Sequence, residues 1–213
     1  MENFCGQALT CARGGRTVFS GLDFTLEAGG ALVLSGPNGS GKTSLLRLMA
    51  GLLEPAAGAI TWGGACIADD PEAHNGRLHF VGHQDAVKPM LSVAENLAFW
   101  AGLRAESAPG FGVRAALEAF GIPHLAQVPG RFLSAGQKRR VALGRLLGAP
   151  APLWLLDEPA TSLDAAAEAA LVDAIGRHRE GGGRVVVCSH GELPLEGAKG
   201  VALDRFQAGE GAG

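Results

Sequence analysis

The eight residues Gly36-Pro-Asn-Gly-Ser-Gly-Lys-Thr43 constrain this chain more than any other stretch, because they match G-x-x-x-x-G-K-[ST] in full. Glycines in such a loop let consecutive backbone N–H groups turn inward around phosphate oxygens, and the N-terminus of a following helix adds positive potential. Both flanks suit that geometry. Ala31 to Ser35 is a short apolar run of strand type. From Lys42 to Leu52 the residues Leu45, Leu46, Met49 and Leu52 recur at helical spacing. Lys42 is placed to reach β- and γ-phosphates, and the Thr43 hydroxyl to ligate a phosphate-bound Mg²⁺. The predicted cofactor-binding set is therefore Gly36, Pro37, Asn38, Gly39, Ser40, Gly41, Lys42, Thr43 and Ser44. Kinases, GTPases and motor ATPases share this loop, so alone it predicts only a nucleotide phosphate.

The rest of the chain alternates strand and helix signals. Leu22 to Glu27 alternates apolar and polar residues, and Ile60–Trp62, Leu78–Val81, Leu153–Leu156, Arg184–Ser189 and Val201–Leu203 read as further strands. Between about residues 85 and 150 the character is helical. Ser92-Val-Ala-Glu95 is a capping box, Val113–Phe120 reads as a second helix, and Ser134 opens a third running toward Leu147. Ala108-Pro-Gly110 is a loop, Asp164 caps a helix reaching about Arg179, and Gln207 to Gly213 is a frayed tail. This order predicts an α/β fold with a mainly parallel sheet, its core at about 1–84 and 151–213 and a helical subdomain inserted at about 85–150.

A parallel sheet presents ligand-binding residues at the carboxyl ends of its strands. Leu153-Trp-Leu-Leu-Asp157-Glu158-Pro159 is an apolar strand ending in two acids. Paired with the phosphate loop, Asp157 is the expected Mg²⁺ ligand, and Glu158 the group that orients or deprotonates an attacking water.

Phe132-Leu-Ser-Ala-Gly-Gln137 makes the pattern specific, because it resembles the signature sequence of ABC transporter ATPases, usually written LSGGQ. Other elements of that family follow in order. Gln84 resembles the glutamine that senses Mg²⁺ and the lytic water. Ser162-Leu163-Asp164 resembles the loop crossing the dimer interface, and His190 the histidine that contacts the γ-phosphate. The resemblance covers nearly the whole chain. It implies a P-loop NTPase core of RecA-like type, with ATP and Mg²⁺ as cofactors. Implied catalytic residues are Glu158, His190, Gln84 and Lys42, and implied metal contacts are Thr43, Gln84 and Asp157. It further implies that ATP is held between two copies of the chain, with Ser134 and Gly136 of one contacting the γ-phosphate on the other, and Asp164 at the same interface. Residues 85–100 are the implied contact with integral membrane subunits.

Two departures stand out. Ala135 occupies a position where the family usually has Gly. The chain contains no Tyr, so the aromatic ring that often stacks on adenine is missing, and Arg13 is the aligned substitute, with Phe19 as the alternative.

A narrower resemblance joins Val81-Gly-His-Gln-Asp-Ala-Val-Lys88, Glu95-Asn-Leu-Ala-Phe-Trp100, Leu133 to Arg140 and Pro152 to Pro159 to the haem-exporter ATPases of bacterial cytochrome c maturation. It implies a peripheral place on the cytoplasmic face of the inner membrane and a role in haem export or haem-chaperone release. It does not imply haem binding by this chain. His74, His79, His83, His124 and His178 have no C-x-x-C-H context and read as ordinary histidines.

Composition narrows the alternatives. Net charge is −3 and the basic run Lys138-Arg139-Arg140 reads as a solvated helix face, so no nucleic-acid partner is expected. The N-terminus lacks a basic-then-apolar leader, and no stretch suits a membrane span. Cys5, Cys11, Cys66 and Cys188 form no C-x-x-C pair and read as reduced thiols. An ATPase for another exporter, of lipid or small metabolite, and a non-transport ABC protein remain as other readings.

Overall fold

The computed structural model describes residues 2–103, 112–189 and 193–207. The loop expected at Ala108-Pro-Gly110, His190 and the tail beyond Gln207 lie outside them.

Nine strands and six α-helices are formed among the described residues. The first half contains β1 (Phe4–Arg13), β2 (Arg16–Leu26), β3 (Ala31–Ser35), α1 (Lys42–Met49), β4 (Ala57–Trp62), β5 (Ala65–Cys66), α2 (Pro71–Gly76) and β6 (Leu78–Val81). Three helices follow: α3 (Val93–Gly102), α4 (Val113–Ala119) and α5 (Ala135–Gly148). The chain then returns to β7 (Leu153–Asp157), α6 (Ala165–Glu180), β8 (Arg184–Cys188) and β9 (Lys199–Ala202).

Strands β6-β7-β8-β3-β9 form one parallel sheet in that order. Every residue of β7 and β8 is buried, as expected for central strands covered on both faces. Their alternating side chains feed two cores. Leu153, Leu155, Val186 and Cys188 join Leu32, Leu34 and the α1 residues Leu45, Leu46 and Met49. Trp154, Leu156, Val185 and Val187 join Leu97 of α3, Leu117 of α4, Val141 and Leu143 of α5, and Leu171 and Ile175 of α6. The α3–α5 segment is thus a crossover between the adjacent strands β6 and β7.

A separate antiparallel sheet, ordered β2-β1-β4-β5, packs on the first core through Phe4, Phe24 and Trp62. The sequence pattern reveals only parts of it, because β1 carries a bulge. Ala8 adopts φ 46 and donates its N–H to Asp23 Oδ1 at 2.7 Å. The register slips between Gly6 and Leu9, so the buried positions change from Phe4 to Leu9 and Cys11 and period-two alternation is lost. Helix α1 ends earlier than its apolar spacing predicts. Gly51 at φ 70 turns the chain back, Leu52 donates its N–H to the Arg47 carbonyl at 2.9 Å, and the Leu52 side chain stands exposed.

Candidate active site

The carboxyl ends of β3, β6, β7 and β8 lie along one edge of the parallel sheet, and a cleft of about 1520 Å³ opens there. Asn38, Gly39, Gly41, Lys42, Thr43 and Ser44 line it, together with Gln84, Asp157, Glu158 and Cys188. Residues far apart in sequence therefore meet in one cleft.

The loop between β3 and α1 needs its glycines. Gly36, Gly39 and Gly41 have φ values of 135, 84 and 100. A Cβ on Gly41 would stand 2.7 Å from Val18 and 2.9 Å from the buried Phe19 ring, so this turn of backbone is seated directly on β2. Lys42 is buried and spends two of its three donors on the loop itself, with Nζ 2.7 Å from the Gly36 carbonyl and 3.1 Å from that of Pro37.

Thr43 Oγ1 donates to Asp157 Oδ2 at 3.1 Å across 114 residues of sequence. Two hard oxygen donors about 3 Å apart are what adjacent positions of an octahedral Mg²⁺ shell present at bond lengths near 2.1 Å, so this pair fits the ion. Asp157 is buried, whereas Gln84 is exposed to the cleft. Glu158 follows in a strained turn at φ 49, its N–H bound to the Cys188 carbonyl at 2.8 Å. The Cys188 thiol lies 3.8 Å from Glu158 Oε1. Burial raises its pKa well above an ordinary thiol, and the charges of Asp157 and Glu158 add to the rise. The thiol therefore stays protonated beside the acids.

Ser134, Gly136 and Asp164 are not in this cleft. They line a second groove of about 540 Å³ with His124, Arg140 and Ser162. Ser134 caps α5 in a full capping box: its hydroxyl accepts from the Gln137 N–H at 3.3 Å, and Gln137 Oε1 accepts from the Ser134 N–H at 2.9 Å. Gly136 leaves no room for a side chain, since a Cβ there would stand 2.7 Å from the Ser162 carbonyl. Asp164 caps α6 through the Ala167 N–H and also pairs with Arg140, and these contacts hold its carboxyl below the usual range.

Arg13 stands exposed at the end of β1, and Val18 of β2, not Arg13, lines the cleft beside the loop. Phe19 is fully buried in the first core. Phe99 is exposed with Lys88 Nζ 4.3 Å from its ring centroid. Trp100 lines the cleft under Arg145. His74 and His79 each bond a main-chain carbonyl, of Met49 and Ala149, and His178 stacks on Trp154 at 3.9 Å.

The basic run is not a solvated face throughout. Arg139 is 4 % exposed, and its guanidinium reaches Asp157, Glu158, Pro159, Gly82 and Asp85. The signal was present: Arg139 precedes Ala142, Leu143 and Leu146 at i+3, i+4 and i+7, a buried helical stripe.

A glycine-rich phosphate loop, a hydroxyl–carboxylate pair and an acidic strand end in one cleft define a nucleotide-hydrolysing P-loop domain. Residues 19–161 match the ABC transporter family model, and the chain belongs to that family as its ATP-binding, ATP-hydrolysing subunit. It is similar to the cytochrome c biogenesis ATP-binding export protein CcmA of Paramagnetospirillum magneticum, 58 % identical over 98 % of this chain and 97 % of that one. The protein of the same name from Rhodospirillum rubrum is 59 % identical over 95 % of this chain and 86 % of its own. Among solved structures, an ABC transporter ATP-binding protein from Pyrococcus furiosus superposes with TM-score 0.85 at 25 % identity, covering 97 % of this chain and all of that one. A dimeric ATP-binding cassette bound to ADP and phosphate, at 22 % identity and TM-score 0.77 over 88 % of each chain, shares the fold. No helix among the described residues is long and apolar enough to cross a membrane.

Proposed function

We propose that two copies of this chain close on ATP and power a membrane transporter for the haem-export or haem-chaperone release step of c-type cytochrome assembly. The observation that carries the two-copy reading is the separation of the groups. The phosphate loop, Gln84, Asp157 and Glu158 share one cleft, while Ser134, Gly136 and Asp164 line another groove of the same chain. Each nucleotide would then be completed by the second groove of a partner copy. The haem pathway is supported by likeness, over nearly the full length, to proteins named for cytochrome c biogenesis.

In the mechanism, backbone N–H groups of Gly36 to Thr43 hold the phosphates and Lys42 shifts from the loop carbonyls to phosphate oxygen. Thr43 and Asp157 would hold Mg²⁺, which when bound neutralises phosphate charge. Glu158 accepts a proton from the attacking water, which Gln84 helps to place, and His190 contacts the γ-phosphate. Arg13 is the candidate adenine contact. Residues about 85–150 act as a helical subdomain on the core, and the segment 85–100, with exposed Phe99 and Met90, meets integral membrane subunits at the cytoplasmic face of the inner membrane. Neither nucleic acid nor haem is a direct partner in this reading.

Complementation tests it. A bacterium lacking its own haem-exporter ATPase is given this chain, or its Glu158→Gln variant, with the matching membrane subunits. The expected result is covalent haem in c-type cytochromes with the parent and none with the variant. No haem attachment despite stable protein and active ATPase would overturn the haem assignment.

A further inference from the structure

We propose that Arg139 is a positioning residue for hydrolysis: its guanidinium fixes the Asp157–Pro159 turn and the Gln84 segment in one geometry. A guanidinium has five N–H donors in a rigid fork, and five contacts use them here. Nε donates to the Pro159 carbonyl at 3.1 Å. Nη1 donates to the Gly82 carbonyl at 2.9 Å and to Asp85 Oδ1 at 3.1 Å. Nη2 donates to the carbonyls of Asp157 at 2.7 Å and Glu158 at 2.6 Å.

Two features distinguish this clasp from a buried ion pair that merely fills space. First, three of its acceptors are the successive carbonyls of the turn that carries both acids. These carbonyls converge because Glu158 is held at φ 49, a backbone state that is strained in a non-glycine residue and persists only where surroundings enforce it. Arg139 supplies that enforcement from the α5 side, while the Glu158 N–H to Cys188 carbonyl bond supplies it from β8. Second, the other two acceptors, Gly82 and Asp85, bracket Gln84. One planar group therefore ties the residue that activates water to the residue that helps place it. Helix α5 carries this group one turn and a half after Ser134, so the element that ends in the second groove also grips the first cleft.

Lysine, with three donors on a flexible stem, cannot span five acceptors. Arg139 makes no hydrogen bond to residues 36–44 and is linked to them only through Asp157, whose side chain bonds Thr43, so loss of the clasp should leave in place the loop backbone and Lys42 that hold the phosphates. Binding and turnover should consequently separate.

The inference rests on the reading of Glu158 and Gln84 proposed above. The test uses the full chain assembled with its membrane subunits, measuring affinity with a fluorescent ATP analogue and steady-state kcat and KM. Arg139→Gln is expected to lose about tenfold to a hundredfold in kcat, as an ångström-scale misplacement of reacting groups does, with affinity within about threefold of the parent. Arg139→Lys should fall between. Unchanged kcat in Arg139→Gln, or affinity falling in step with kcat, would overturn the proposal. If Arg139→Gln does not fold, Asp85→Asn decides: it removes the charged partner of the clasp, and kcat should drop several-fold at constant affinity, whereas unchanged kcat overturns the idea. Glu158→Gln is run alongside. Full activity in that variant would sink the underlying catalytic reading, and with it this one; its inactivity combined with a normal Arg139→Gln would sink this one alone.

Discussion

Asn96 is a single buried amide on which the segment leading away from the cleft depends, and replacing it with Asp should produce a pH-dependent loss of stability. The side chain is 1 % exposed at the start of α3. Its Oδ1 accepts from the Lys88 N–H at 2.7 Å. Its Nδ2 donates to the carbonyls of Lys88 at 3.1 Å, Leu91 at 3.1 Å and Ser92 at 2.9 Å. In Asn96→Asp the acceptor survives, but both donors vanish and a carboxylate oxygen faces three carbonyls. Unsatisfied buried partners cost about 1–3 kcal/mol each. Each of the three carbonyls keeps one main-chain partner, the Leu91 N–H on Lys88 at 3.3 Å, the Gly130 N–H on Leu91 at 2.9 Å and the Asn96 N–H on Ser92 at 2.8 Å, so the cost comes from the two lost donors and from a buried carboxylate set against carbonyl oxygens. A loss of about 2–4 kcal/mol at pH 7 follows, or a fall of about 5–15 °C in Tm at this chain length. Burial and the facing carbonyls raise the pKa of the introduced carboxyl above its unfolded value of about 3.9. The folded variant then binds more protons than the unfolded chain between those two pKa values, so its stability falls as pH rises through that window. Relative to the parent, the variant should be least impaired near pH 4 and most impaired above the raised pKa. Thermal melts of both proteins from pH 4.5 to 7.5 read this directly, with Asn96→Ala as a control whose deficit has no such slope. A constant gap across that range, or no gap, would refute the reasoning.

Lys42→Ala removes a charge-assisted contact worth about 1.5–3 kcal/mol, so ATP should bind about ten- to a hundredfold more weakly; affinity within about threefold by calorimetry would count against the loop role. Glu158→Gln should bind ATP normally, lose about 10²–10⁴-fold in hydrolysis and accumulate as an ATP-bound dimer on size-exclusion chromatography, and a monomer with the parent's rate would contradict it. Burial against Trp154 lowers the His178 pKa to about 4. With an unfolded value near 6.5, the unfolded chain binds the extra proton between those pH values, so stability should decline by up to about 3 kcal/mol as pH falls from about 6.5 to 4. His178→Asn should flatten that part of the Tm profile, and an unchanged slope would assign it to other groups.

What the sequence discloses of this protein depends on how local each determinant is. The phosphate loop and the Ser92 capping box are set by neighbours a few residues apart, and the structure has them where the spacing puts them. The strand Leu78–Val81 lies within its predicted bounds because a buried parallel strand is a continuous apolar run. Strand β1 escapes notice because a bulge at Ala8 exchanges its two faces midway, and that bulge is stabilised by Asp23 on the next strand. Helix α2 is missed although Asp70 caps it and Pro71 sits in its first turn, since six residues are too few to show a period.

The site divides in the same way. Thr43 and Asp157 could be paired from motif order, but their contact is a product of the sheet, which sets β3 and β7 on either side of β8. Arg139 lay in plain view as a member of a charged run, and charge alone sent it to the surface. Its helical phase pointed inward, and a buried cation is tolerable only where carbonyls and a carboxylate are waiting. Those acceptors come from two strand ends, β6 and β7, that the sequence separates by more than seventy residues and the crossover through α3–α5 brings side by side. Sequence order therefore names the candidate nucleotide contacts, whereas the residue proposed to align two of them can be recognised only after the strands are paired. The same logic bears on assembly. Gly136 must stay bare because the Ser162 carbonyl lies against it, and Asp164 is engaged by Arg140 and by its own helix. The second groove is thus already shaped within one chain, which is the condition for a partner's nucleotide to dock on it without the groove first having to be built.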